Sequence, residues 1–284
     1  MAPAKSHITH PPCSLQLKAI ALGVACAAGI HPLQVAAQDE TAVIEELVVW
    51  GRSLQLLGSA DSASQGVVGY ADFSTRPLAR VGELVEVVPG MIATQHSGPG
   101  KANQYFLRGF NLDHGSDFST FFEGMPVNFR THAHAQGYMD LNFIIPEIIE
   151  RVDFKKGPYF ANTGDFSLAG TSSMKTYDTL ERGFVEVTAG SGDEIRVVAA
   201  NSFSTEQGSL LYALEHQQTN GMFGLDQDVR KYNGLLKYTG EIGGIPSQLT
   251  LTAYDSEWIS TNQVPQRAVA SGQIDRFGFI DPDL

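Results

Sequence analysis

From residue 183 onward the chain alternates. Val185, Val187 and Ala189 fall on one side of an extended segment, with Glu186 and Thr188 on the other. Ile195, Val197, Ala199 and Phe203 then oppose Arg196 and Ser202, and Leu210, Tyr212 and Leu214 oppose Leu211, Ala213 and Glu215. Tyr232, Leu236 and Tyr238 face away from Lys231, Asn233 and Lys237, and Leu249, Leu251 and Ala253 away from Gln248, Thr250 and Thr252. A period of two predicts five strands, most with one apolar and one polar face. The connections at 204–207 and 240–244 are short, whereas 218–228 and 256–284 are longer. Short turns at one end and long loops at the other fit the wall of a transmembrane β-barrel. A soluble sandwich gives similar alternation. Five or so strands cannot close a plugged barrel of about 22, so the expectation is a chain that stops within a long loop.

Residues 70–178 carry a different texture. A helical pattern over 81–88 is stopped by Pro89 and Gly90, and short strands are predicted at 104–108, 118–122, 125–128 and 149–155. Before this segment, 53–66 is rich in small residues and 43–49 is a short apolar run with two glutamates inside it. The fold class expected is therefore an α+β domain followed by the start of an antiparallel transmembrane β-barrel. The divisions fall at 1–37, 38–69, 70–180 and 181–284.

Lys5 and Lys18 precede an apolar stretch from Ala19 to Ile30, and no acidic residue occurs before Asp39. The stretch is shorter than the ~20 residues of a spanning helix. With the small residues Val35, Ala36 and Ala37 ahead of Gln38, it reads as a cleavable secretory signal peptide. Both cysteines, Cys13 and Cys26, lie inside it, which leaves the mature chain without disulfide or thiolate chemistry. Cys26 as a lipid-attachment site is the alternative.

The 43% apolar content excludes a disordered tail. Charged residues make up 18%, below the roughly 25% of average soluble proteins, which agrees with a turn-rich β protein. Loss of Lys5 and Lys18 takes the chain's balance of −12 to about −14, which disfavours nucleic acid as a partner.

Four blocks occur in one order. Val81–Gly82–Glu83–Leu84–Val85–Glu86–Val87–Val88–Pro89–Gly90 is followed by Gln104–Tyr105–Phe106–Leu107–Arg108–Gly109–Phe110. Phe122–Glu123–Gly124–Met125–Pro126–Val127 and Ile149–Glu150–Arg151–Val152–Asp153–Phe154–Lys155–Lys156–Gly157–Pro158 come next. This order resembles the plug of TonB-dependent outer-membrane receptors. Glu46, Leu47, Val48 and Val49 resemble the TonB box, a β-prone segment able to pair with a partner's sheet edge.

The resemblance implies a ligand-gated uptake receptor of the bacterial outer membrane, not an enzyme. Its partners would be a TonB-type periplasmic protein, outer-membrane lipid and a small ligand, such as a metal or siderophore-like metal chelate, with no cofactor of its own. It also implies a structural or gating role for Arg108, Gly109, Glu150, Arg151 and Gly157, with buried ion pairs among the charged members. A signal-transducing receptor of the same architecture is the second reading.

In that family the segment after the acidic-Gly turn commonly reaches the outward cavity. Here it runs Phe129–Arg130–Thr131–His132–Ala133–His134–Ala135–Gln136–Gly137–Tyr138. On an extended backbone His132 and His134 share one face, and imidazoles suit Zn, Cu, Ni or Fe. Arg130 is a fork for a carboxylate or phosphate, Gln136 and Tyr138 add contact surface, and Asp113 and His114 can approach. Direct metal coordination by His132 and His134, contact with a chelate, and a purely structural loop all remain open. A secreted metal-binding protein or enzyme using these histidines is the third reading, with no helical His-Glu-x-x-His arrangement to support it.

Overall fold

The computed structural model describes residues 62–281, apart from 77, 79, 96, 97 and 262. The described residues lie within one compact unit, Trp50–Leu284. The signal-peptide segment and the TonB-box residues Glu46, Leu47, Val48 and Val49 fall outside them.

The first half is a mixed α/β body. Strand β1 (Gln65–Gly69) leads through a single helical turn, Tyr70–Phe73, to a 3-10 helix at Val81–Val87. Then come β2 (Met91–Thr94), β3 (Gln104–Leu107), β4 (Phe110–Asn111), β5 (Phe118–Phe122), β6 (Met125–Pro126), β7 (Ile149–Lys156) and β8 (Gly170–Thr176). A five-stranded sheet runs β1-β7-β8-β5-β6, with β5 and β8 parallel, and β2-β3-β4 form a second, small sheet. The linker expected through residue 69 therefore ends earlier, because 65–69 pairs antiparallel with β7. The helical pattern at 81–87 winds as 3-10, with Val88 N–H bonded back to Val85 O at 3.0 Å. Its β-branched valines restrict χ1 in an α-helix.

Two of the sequence blocks are hairpin turns. Arg108 and Gly109 have φ of 54° and 81°, and Glu123 and Gly124 have 50° and 80°. Two consecutive positive φ values make a type I′ turn, whose twist matches that of paired strands and whose second position suits glycine.

The second half is a meander of β9 (Phe184–Ala189), β10 (Ile195–Thr205), β11 (Gly208–Thr219), β12 (Val229–Ile242) and β13 (Ile245–Glu257). All neighbours pair antiparallel in chain order. From β10 to β13 the strands have 11, 12, 14 and 13 residues, enough for the 9–11 a tilted membrane strand needs. Two-residue turns at 206–207 and 243–244 close one end, while the longer 220–228 loop and the segment after residue 257 occupy the other. That segment contains a short helix, Gln266–Ala270. The sheet has two edges, β9 and β13, so it is a section of wall and not a closed barrel. Among the described residues no helix is long and apolar enough to cross a membrane.

The alternation read from the sequence sorts the wall faces as expected, and the sorting is inverted relative to a soluble sheet. Leu214 is 43% exposed and its neighbour Glu215 only 4%. Val185, Val187, Tyr232, Leu236, Leu249 and Leu251 are likewise exposed, whereas Arg196, Lys231, Asn233 and Lys237 are buried against the α/β body. An apolar exterior with a polar interior is the arrangement of a barrel in lipid. The core is continuous across the two halves, with Phe73, Leu84, Phe118, Leu141, Ile144 and Ile148 joined by wall residues Val198, Ala200, Leu211, Ala213 and Leu235.

Candidate functional site

The seat of the body on the wall is made of charge. Arg196 forks onto Glu147, with Nη2 to Oε2 at 2.9 Å, and its Nε donates to Glu215 Oε1 at 2.6 Å. Lys231 reaches the same Glu215 oxygen at 3.3 Å. Asn233 Nδ2 donates to Asn142 O at 2.9 Å. A second group centres on Lys237, 2.8 Å from Asp178 and 3.3 Å from Glu123. Glu123, in the I′ turn after β5, also accepts from Thr176 Oγ1 at 2.8 Å and from Gln248 Nε2 at 2.6 Å. Burial opposes charge on Asp178, yet the hydrogen bonds from Lys237 and Thr239 outweigh it and hold the carboxyl below its usual range.

Arg108, Glu150 and Arg151 do not form the buried ion pairs expected of them. Arg108 is exposed at a hairpin tip, and Arg151 pairs with its neighbours Glu150 (2.8 Å) and Asp153 (3.4 Å) in a partly exposed position. On one strand, residues so close in sequence meet locally instead of bridging to another element. Gly109 is the second turn residue (φ 81°), and Gly157 (φ 86°) leaves β7 with its N–H on Ala169 O.

The segment 129–138 is a bent loop pinched at its base. Phe129 N–H bonds Tyr138 O at 2.9 Å and Gly137 N–H bonds Phe129 O at 2.8 Å. Beneath it, buried Asn128 accepts the Thr120 N–H at 2.7 Å and shares its amide protons among Gly115 O (2.9 Å), Gly137 O (3.0 Å) and Phe118 O (3.1 Å). One amide thus ties three backbone segments together.

Among the described residues, three imidazoles gather around Tyr138. His132 stacks on its ring at 4.0 Å, and His134 meets the His114 ring edge-on at 4.4 Å. Tyr138 Oη accepts the Ala102 N–H at 3.0 Å, and burial raises its pKa. His114 Nδ1 lies 3.0 Å from both Ala102 O and Asn103 O. Burial likewise raises the pKa of Asp140, two residues beyond Tyr138.

The expected pairing of His132 with His134 on one extended face does not occur. His132 Nδ1 accepts the His134 N–H at 3.1 Å, which closes a turn and bends the backbone. The group that gathers donors is instead Asp113, His114 and His134, whose ligand atoms lie within 4.8 Å of one another. Arg130 is committed to Asp165 at 2.7 Å, both well exposed, and Gln136 is exposed outside the cluster.

The cluster belongs to the long-loop end of the wall. The backbone carbonyls that hold His114 come from the stretch before β3, where Trp258, just past β13, covers Gly100 closely enough that a Cβ there would overlap the indole. Gln227, from the loop before β12, approaches Gly98 in the same stretch. A separate open depression lined by Gln65, Phe121, Phe154 and Lys155 shares no residue with the cluster.

A charged seat inside an apolar-outside wall defines a plugged outer-membrane-type barrel section. Residues 59–171 match the model of the TonB-dependent Receptor Plug Domain, so this part of the chain is similar to the plugs of TonB-dependent receptors. It is 26% identical over 184 residues to the Vitamin B12 transporter BtuB of Vibrio vulnificus (strain CMCP6), covering 65% of this chain and 29% of that protein. Its fold is similar to that of the Copper transporter OprC, with TM-score 0.53 and 19% identity over 71% of this chain and 31% of the other. The siderophore receptor PirA from Acinetobacter baumannii gives TM-score 0.51 and 16% identity over 71% and 32%. The chain therefore spans about a third of the length of these relatives.

Proposed function

We propose that this chain is the plug and part of the wall of an outer-membrane receptor that imports a metal or metal chelate under TonB control. The observation that carries the reading is the charged seat within an apolar-outside wall. A plug held by ion pairs in a lumen stays in place at rest, yet those pairs can be exchanged for water when the plug is pulled. Ligand is taken up at the long-loop end, the outward end of barrels of this type. Force enters at Glu46, Leu47, Val48 and Val49, whose β-prone run suits pairing with a periplasmic sheet edge.

The test is Leu47→Pro in the full-length receptor in cells, because proline removes a ladder donor. Uptake of a radiolabelled metal or chelate is expected to fall to background, with surface binding and receptor level unchanged. Uptake at the wild-type rate would overturn the TonB-dependent reading.

A further inference from the structure

We infer that Asp113, His114 and His134 form an open three-ligand site for a divalent first-row metal ion, which names the cargo chemistry of the uptake reading and rests on it for its biological role.

His114 provides the first argument. Its Nδ1 lies 3.0 Å from two backbone carbonyl oxygens, Ala102 O and Asn103 O. Carbonyls only accept, so Nδ1 carries a proton and Nε2 is the ring atom that coordinates in a histidine held this way. Carbonyl bonding at the far ring nitrogen is how proteins orient a metal-ligating histidine and raise its basicity. The side chain is 2% exposed, so its aim is fixed by packing as well.

The second argument is what Nε2 faces. Asp113 Oδ1 lies 3.8 Å away. At that separation the two atoms can turn to one shared cation. Asp113 is held to this aim by a left-handed backbone (φ 50°) and by its N–H on Asn111 Oδ1 at 2.9 Å.

His134 closes the set from the opposite side. Its loop is pinned by the Phe129–Tyr138 bridge and by Asn128, and the turn at His132 points its ring against His114. Bonds of about 2.0–2.2 Å put tetrahedral donors about 3.4 Å apart. The 4.8 Å spread therefore needs only a small movement of the exposed His134 ring.

Two imidazoles and one carboxylate suit zinc, copper(II), nickel or iron(II), and disfavour calcium and magnesium. Three protein ligands leave a position for water or for a chelator's donor atom. An open shell also lets the ion leave, which a transported ion must do.

The test uses detergent-purified full-length receptor, stripped with chelator and titrated with Zn2+ alone by calorimetry, with Co2+ absorption as a second readout. One ion per chain is expected, with a tetrahedral Co2+ spectrum. Affinity should fall roughly 10-fold or more in both His134→Ala and Asp113→Asn, while Gln136→Ala, on the same loop but outside the cluster, stays near wild type. Binding unchanged in either of the first two variants, or none in the wild type, overturns the site. Loss in Gln136→Ala equal to that in His134→Ala overturns the ligand assignment. Zn2+ bound as described, with no receptor-dependent Zn2+ or chelate uptake by cells, would instead remove the uptake reading and leave the site standing.

Discussion

In the plug, Phe73, Leu84, Leu112, Phe118 and Ile148 go inward and are fully buried. In the wall the order reverses, with Arg196, Lys231 and Lys237 buried and Val185, Leu236 and Leu251 exposed. The two regions are built of the same residue types and differ in what surrounds them. A plug must satisfy its own backbone and bury its own oil, whereas a barrel strand hands its apolar side to lipid and keeps polar groups for the lumen. The difference teaches that the wall's inner charges need a partner on the plug, since a buried charge left alone is costly.

Glu215→Ala carries the largest expected effect. It removes the carboxylate shared by Arg196 and Lys231, and about 3–5 kcal/mol of stability should go with it. The measurement is the urea midpoint of the full-length receptor refolded into lipid vesicles. A shift below about 1 kcal/mol would show that water already serves the inner face.

The opposite face gives the next effect. Leu236→Arg puts a charge where the wall is apolar, and about 2–4 kcal/mol should be lost if the residue sits near the bilayer midplane. The same vesicle assay reads it, and an unchanged midpoint would mean that this face meets water.

The smallest effect concerns pH. The carboxyl of Asp178 is held below its usual range, so it contributes stability that is present above the unfolded value near 3.8 and lost as pH falls through the folded one. Wild type should therefore exceed Asp178→Asn in thermal stability at pH 6, with the gap closing toward pH 3. A gap of constant size across that window would mean that the benefit does not come from charge. Because Asp178 is 58% exposed, solvent screening keeps the effect small.

The wall was legible because its strands meet two different surroundings, and a period of two records that directly. The turn at Glu123–Gly124 was legible too, since a positive φ selects glycine, whereas Arg108 was read into a strand and is the first residue of a hairpin tip. Strand β1 was hidden: Gln65–Gly69 is short and glycine-bounded, and only its pairing with β7 makes it extended. The buried ion pairs were misplaced for a related reason. Arg108, Glu150 and Arg151 sit in conspicuous motifs, whereas Arg196 and Glu147 are 49 residues apart and meet only when the plug sits in the wall.

The histidine cluster was half legible. The run His132–Ala133–His134 stood out by composition, but the use of His132 Nδ1 to close a turn is a matter of three-dimensional backbone geometry. The approach of Asp113 and His114 was expected, but that they meet His134 and not His132 depends on the pinched loop above Asn128.

Trp258 over Gly100 has an optical consequence. The chain has two tryptophans, Trp50 and Trp258, and the second lies against the plug at the long-loop end. Its indole emission depends on that close backbone neighbour, so Trp258 is a built-in gauge, read as the difference between the receptor and its Trp258→Phe variant. A wavelength shift on adding ligand or a TonB fragment would report the plug leaving its outer loop, with no label attached.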